Sequence, residues 1–165
     1  NNPKLICTVR HPLDILASFI TLFHKDRTYN FIDRAMTEQK IPITDDNRCH
    51  YMMNPGGIVW ESMNALATAF RQKETQYIHF IQYDDLVSNP RLVMQNLHGY
   101  LRLDSFNYDY ENITQKDREK DVEVYGLPTM HEVRKSINKI SKPYQEVLST
   151  DVINKYINYD FWNQQ

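Results

Sequence analysis

Arg10 and Ser18 are spaced for anion chemistry. Arg10 closes the apolar run Leu5-Ile6-Cys7-Thr8-Val9, and His11-Pro12 turns the chain at once into a helical pattern. An arginine fork beside the unsatisfied N–H groups of a helix start makes an anion site suited to phosphate oxygens. Ser18 stands six residues beyond Pro12, about 9 Å up a helix. An anion touching both therefore lies along the helix flank rather than at its tip. A second chemical end is Tyr83-Asp84-Asp85, which closes the run from Tyr77 to Gln82. Asp84 and Asp85 are expected to cap that turn or pair with Arg10 rather than to act as bases. His11, His79, His98 and His131 lack the mutual spacing of metal ligands, and no C-x-x-C exists, so no metal is expected.

Each of these residues also has a plainer reading. Arg10 can pair with Asp14 at the helix start, and Ser18 can bond the carbonyl four residues earlier. Tyr83 can simply pack at a strand end, and Arg134-Lys135 can be a solvated pair. The joint spacing of Arg10 and Ser18 is what favours a phosphate.

The elements that must position these groups follow from pattern. Residues 4–10 are apolar without a helical period, which predicts a buried strand, parallel because both faces are apolar. Pro12 suits a first helical position and Asp14 its electropositive first turn. Leu13, Leu16, Ala17, Ile20 and Phe23 then define an amphipathic helix to about His24. Residues 25–55 are polar and broken by Pro42 and Asn54-Pro55. They predict an irregular excursion with a short helix around Phe31, Ile32, Ala35 and Met36, a candidate acceptor wall. Val59, Met63, Leu66 and Phe70 mark a second amphipathic helix, with Trp60, Met63 and Phe70 in the core. Tyr77–Tyr83 is β-branched and aromatic, a second strand. Asn89-Pro90 caps and opens a third helix. Residues 104–124 predict irregular chain or a surface helix, Tyr125–Pro128 a turn, and Ser149 or Thr150 the cap of a last helix. Strand–helix, excursion–helix, strand–helix implies an α/β sheet with parallel strands, in one domain over residues 1–165.

Composition narrows the class. Hydrophobic residues at 41% and charged ones at 24% describe a folded chain rather than a disordered one. A net charge of −2 removes the main argument for a nucleic-acid partner. Two cysteines are too few for a disulfide framework, and the expected compartment is reducing and cytoplasmic. No apolar run approaches the roughly 18 residues that cross a bilayer, so no membrane partner is expected. The start lacks the layout of a signal peptide. The four glycines, at 56, 57, 99 and 126, cannot build a G-x-x-x-x-G-K-[ST] or G-x-G-x-x-G loop.

Three stretches together resemble the sulfotransferase family. Leu5-Ile6-Cys7-Thr8-Val9-Arg10-His11-Pro12-Leu13-Asp14 through Ser18 is similar to its 3′-phosphate motif, with Ser eight positions after Arg and His11 where Asn or Asp is commoner. Gln82-Tyr83-Asp84-Asp85-Leu86-Val87-Ser88-Asn89-Pro90 is similar to its Tyr-Glu-Asp-Leu-x-x-x-Pro segment. Gly126-Leu127-Pro128 through Arg134, and Ser141-Lys142-Pro143-Tyr144 through Leu148, resemble the tail of bacterial and phage members. The resemblance implies a P-loop-like α/β fold and the donor 3′-phosphoadenosine 5′-phosphosulfate, with no metal. It implies Arg10 and Ser18 on the 3′-phosphate, Tyr83 near the adenine and Arg134 on the late basic loop that touches the same phosphate. The acceptor would carry a hydroxyl or amine.

The family's 5′-phosphosulfate loop, its lysine and its catalytic base precede the 3′-phosphate motif, and these 165 residues hold no counterpart. The expectation is a carboxy-terminal portion of a sulfotransferase, inactive alone and prone to self-association. Two rival classes stand beside it. A non-catalytic module would bind 3′-phosphoadenosine without turnover. A P-loop kinase-like enzyme would need ATP and magnesium, for which the sequence has no evident signature.

Overall fold

The computed structural model describes residues 3–26, 29–117, 119–138 and 142–163. Two strands, β1 (Leu5–Val9) and β2 (Ile78–Gln82), pair in parallel, with Leu5 opposite Ile78 and Val9 opposite Gln82. The helices are α1 (Pro12–Asp26), α2 (Phe31–Glu38), α3 (Asp45–Met53), α4 (Ile58–Arg71), α5 (Tyr83–Ser88), α6 (Pro90–Leu101), α7 (Asp121–Tyr125) and α8 (Thr150–Tyr156). Helices around a small parallel sheet agree with the α/β expectation. The chain groups into two compact units: residues 1–10, 68–116 and 133–140, and residues 11–67, 117–132 and 141–165.

In the first unit, β1 is parallel as expected but is not the buried strand that its apolar sequence predicts. Leu5 is 53% exposed and Ile6 46%, and only Val9 is buried. In a parallel sheet helices cover the faces and further strands the edges; among the described residues the sheet has two strands, with α5 and α6 packed on β2, and the start of β1 stays uncovered. Tyr100 holds the other end of this pair in place. Its ring stacks on His79 at 4.7 Å and its hydroxyl donates to the Tyr77 carbonyl at 2.9 Å. The Lys4 ammonium donates to the Tyr100 carbonyl and lies over the same ring. Phe70, expected in the core, is half-buried against Phe80. The Asn89 side chain caps α6 by accepting from the Leu92 N–H, and Pro90 opens the helix, as the sequence predicts.

In the second unit, α1 buries Leu13, Leu16, Ala17, Ile20 and Phe23, the stripe that its spacing predicts. The excursion is more ordered than expected. The short helix at Phe31 is present as α2, but residues 45–53 form a further helix, α3, whose Cys49, Met52 and Met53 are buried. The sequence hides α3 because its apolar residues are few and sit among Asp45, Asp46, Arg48 and His50. Thr44 caps it through its hydroxyl, which accepts from the Asn47 N–H at 3.2 Å.

A buried ion pair joins these two helices. Arg48 donates to both carboxylate oxygens of Asp33 at 2.8 Å, and its third nitrogen donates to Asp45 at 2.8 Å. The hydrogen bond to Asp33 is the leading reason that the Arg48 pKa is raised. Asn30 holds Asp33 from the other side. Its carbonyl oxygen accepts from the Ile32 and Asp33 N–H groups, and its amide donates to the Asp33 carboxylate, all at 3.0 Å. Val59 and Met63 of α4 are buried and Trp60 half-buried, so the expected core residues of that helix lie largely inside. Residues 121–125, expected to be irregular or a surface helix, form α7. Gly126 ends it at φ +69, and a Cβ there would meet the Tyr29 carbonyl oxygen at 2.8 Å. Ser149 caps α8 by accepting from the Val152 N–H. The His50 ring bonds the Tyr156 hydroxyl at 2.9 Å, tying α3 to α8, and burial pushes that phenol up to about 12.

Two stability predictions arise here. Arg48→Met leaves the Asp33 carboxylate, 7% exposed, without its counter-charge and should cost about 3–5 kcal/mol in urea unfolding. Adding Asp33→Leu should recover part of that loss, and a neutral single variant would contradict the assignment. Burial, followed by nearby Lys155, holds the His50 pKa below its ordinary value. The unfolded chain then binds more protons below about pH 6.5, so stability should fall as pH drops through that value. His50→Gln should flatten this slope between about pH 7.5 and 5.5, read from urea midpoints, and an unchanged slope would refute it.

Candidate functional site

The register that pairs Val9 with Gln82 delivers the next two residues, Arg10 and Tyr83, side by side at the carboxyl ends of the parallel strands. The Arg10 guanidinium carbon sits 4.4 Å from the centre of the Tyr83 ring. Both residues are half-buried, and Asp84 and Asp85 follow, exposed, in the first turn of α5. Those carboxylates complement the helix start. The cation sits over the ring face, and the N–H donors of a guanidinium lie in its own plane, the direction from which a carboxylate or phosphate is bound bidentately. The structure thus brings these two sequence-predicted site residues into contact.

Ser18 lies in the second unit, exposed on the second turn of α1. The start of that helix explains the unusual His11. Its Nδ1 accepts from the Leu13 N–H at 3.2 Å and its carbonyl accepts from Ile15 at 3.2 Å, so His11 does the capping that Asn or Asp does elsewhere. With Nδ1 accepting, a neutral ring carries its proton on Nε2, which faces the Ile157 carbonyl at 3.1 Å. The ring also stacks on Tyr144 at 5.8 Å. His11 therefore anchors α1 to the tail of the chain, the structural role expected of it.

Arg134 is exposed in the first unit. Its segment is fastened to residues 110–115: Ile113 N–H donates to the Lys135 carbonyl at 2.7 Å, Ile137 N–H to the Tyr110 carbonyl at 3.3 Å, and Val133 N–H to the Gln115 side chain at 3.2 Å. The rest of the tail motif is packing. Leu127 is fully buried and Leu148 nearly so, while Ser141 lies outside the described residues.

Two features escape sequence reading. A shallow groove of about 320 Å³ runs along α6, walled by Met94, His98, Phe106, Tyr108 and Tyr110. His98 donates from Nδ1 to the Asp104 carbonyl at 2.6 Å, so in its neutral form Nε2 accepts from the Tyr108 hydroxyl at 2.8 Å. The second is a cluster of Glu119, Asp121 and His131 in the other unit, whose ligand-type atoms lie within 4.8 Å of one another. Asp121 already accepts from the His131 ring at 2.7 Å and from the His131 N–H at 2.8 Å. Those bonds, the ring first, hold the Asp121 carboxyl below the usual range. The Nδ1 that would ligate a cation is the atom engaged there, so an Asp–His hydrogen bond accounts for the cluster.

The family model of the sulfotransferase domain matches residues 1–158, and the chain belongs to the sulfotransferase family. The chemistry of that family is sulfuryl transfer, and all three sequence stretches singled out above lie within the matched residues. Comparison with curated proteins gives no match, and comparison with solved structures gives none. Among the described residues, no helix is long and apolar enough to cross a membrane.

Proposed function

We propose that this chain forms the 3′-phosphate-binding part of a sulfotransferase that uses 3′-phosphoadenosine 5′-phosphosulfate and a hydroxyl- or amine-bearing acceptor. The observation that carries the reading is family membership together with Arg10, seated over the Tyr83 ring, at the carboxyl ends of the parallel strands. Ligands of open α/β sheets gather at those ends. A guanidinium held there suits a phosphate, which it binds bidentately in its own plane, so the residues present fit the donor. Arg10 and Ser18 take the 3′-phosphate, Tyr83 belongs to the nucleotide side, and Arg134 adds a cation for the same phosphate.

In sulfuryl transfer the acceptor oxygen or nitrogen forms a bond to sulfur while the bond from sulfur to the 5′-phosphate oxygen breaks. The acceptor gives up a proton, and negative charge grows on the leaving bisphosphate. Arg10 and Ser18 act at a distance from that centre. Binding energy gained on the 3′-phosphate is available to orient the reacting groups. None of the four glycines lies in a phosphate-loop pattern. We assign the 5′ anchor and the base to sequence outside these residues, and no metal is required. The exposed Leu5 and Ile6 fit a sheet that gains a further strand from the same source.

In the full-length protein, 3′-phosphoadenosine 5′-phosphate should bind about ten- to a hundredfold tighter than AMP, the worth of one charged hydrogen-bonded contact. Arg10→Lys should shrink that preference, because lysine keeps the charge and loses the planar fork, with little change in the melting temperature of the unliganded protein. Equal affinities by calorimetry, or a large loss of unliganded stability, would defeat the reading. Residues 1–165 alone should show no sulfuryl transfer, because losing even one preorganised donor to the transition state can cost about 10²–10³ in rate. Adding the preceding segment should restore monodispersity first and donor-dependent activity second. Turnover by the isolated chain would show that its own residues carry the chemistry.

A further inference from the structure

The two residues assigned to different parts of the nucleotide touch each other. From this contact we infer that Tyr83 is a positioning residue: its ring holds the Arg10 guanidinium in place and so acts on the phosphate through Arg10. The inference rests on the proposed 3′-phosphate site. It stands on three observations. The parallel register places Arg10 and Tyr83 one step beyond the paired Val9 and Gln82, so their backbones are held by the sheet rather than by a loop. The guanidinium carbon lies 4.4 Å from the ring centre, within the range of a cation–π contact. Tyr83 is also the first residue of α5, which fixes the backbone that carries the ring.

The physical advantage is preorganisation. An arginine side chain has many rotamers, and a bidentate contact uses only those with the guanidinium plane facing the two oxygens. A ring in contact with the guanidinium removes rotamers that would carry the fork away, and a smaller ordering cost appears as affinity. The same contact constrains what else Tyr83 can do. The ring face that carries the guanidinium is not open to a nucleobase, so on that face Tyr83 serves the phosphate and not the base.

The two roles separate by ligand. A residue that serves the base affects 3′-phosphoadenosine 5′-phosphate and AMP alike, whereas one that serves Arg10 affects only the ligand with a 3′-phosphate. Binding of both ligands to the full-length protein should be measured by calorimetry, with AMP as displaced competitor where it is weak. Tyr83→Leu should reduce the preference for the 3′-phosphate about 2- to 30-fold, the worth of a cation–π contact, and leave AMP unchanged. Tyr83→Phe, which keeps the ring, should retain the wild-type preference. In an Arg10→Leu background, Tyr83→Leu should have no further effect on it. Should Tyr83→Leu fail to fold, Tyr83→Met carries the same expectation. An equal loss for both ligands, or a preference unmoved by removal of the ring while Arg10→Leu abolishes it, overturns the positioning role and leaves the site standing. A preference that survives Arg10→Leu overturns the site itself, and the inference with it.

Discussion

The parallel register of β1 and β2 is the constraint on which the functional reading of this chain depends. Side chains alternate across a strand with a period of two, so a slip of one residue would turn every side chain of β1 to the opposite face. With Val9 set against Gln82, Arg10 and Tyr83 leave the sheet together and in contact. With any other offset the guanidinium would lose its ring. Residues outside the strands maintain the alignment: Tyr100 bonds the Tyr77 carbonyl, stacks on His79 and receives Lys4. Two aromatic groups and one lysine therefore reinforce the pairing from the end opposite to the site.

The second unit is organised by a different kind of force. Its core is apolar, built on Leu13, Leu16, Ile20, Met36, Met52 and Val152, and such contacts are not directional. Direction comes from polar groups placed at its margins. Asp33 is gripped by Arg48 and Asn30 at once, which fixes α2 against α3. His11 serves the opposite end by capping α1 and facing the Ile157 carbonyl. Removing either polar anchor would leave the apolar surfaces able to slide, because shape alone tolerates several arrangements.

Much of this was legible in the residues. The apolar run before Arg10, the stripe from Leu13 to Phe23 and the Asn89-Pro90 helix start are strong local signals, and each names its element to within a residue or two. The three stretches around Arg10 and Ser18, Tyr83 to Pro90, and Gly126 to Leu148 together carried the family, which the domain match bears out. What stayed hidden was the set of features that depend on partners far along the chain. The sequence of α3 looks like a loop because its stability comes from Asp33, fifteen residues away, and from core contacts, not from a regular stripe. The exposure of Leu5 and Ile6 was not legible in the run itself, which reports what a strand needs; it followed only from the resemblance, whose neighbouring strands these residues do not supply. The contact of Arg10 with the Tyr83 ring is a product of register, and register is not written in either strand alone.

The two cysteines fall one to each unit. Cys7 lies half-buried in β1 of the first, and Cys49 is fully buried in α3 of the second. Burial raises both thiols, Cys49 to about 12. A thiol reacts as its thiolate, and the fully buried Cys49 sulfur becomes an ordinary one only when its unit opens. Cys7, half-buried, is reachable without such an opening. The chain thus carries a reporter of local breathing and its own reference. Alkylation of Cys49 follows opening of the helical core, and the ratio of its rate to that of Cys7 measures that opening without any label being added.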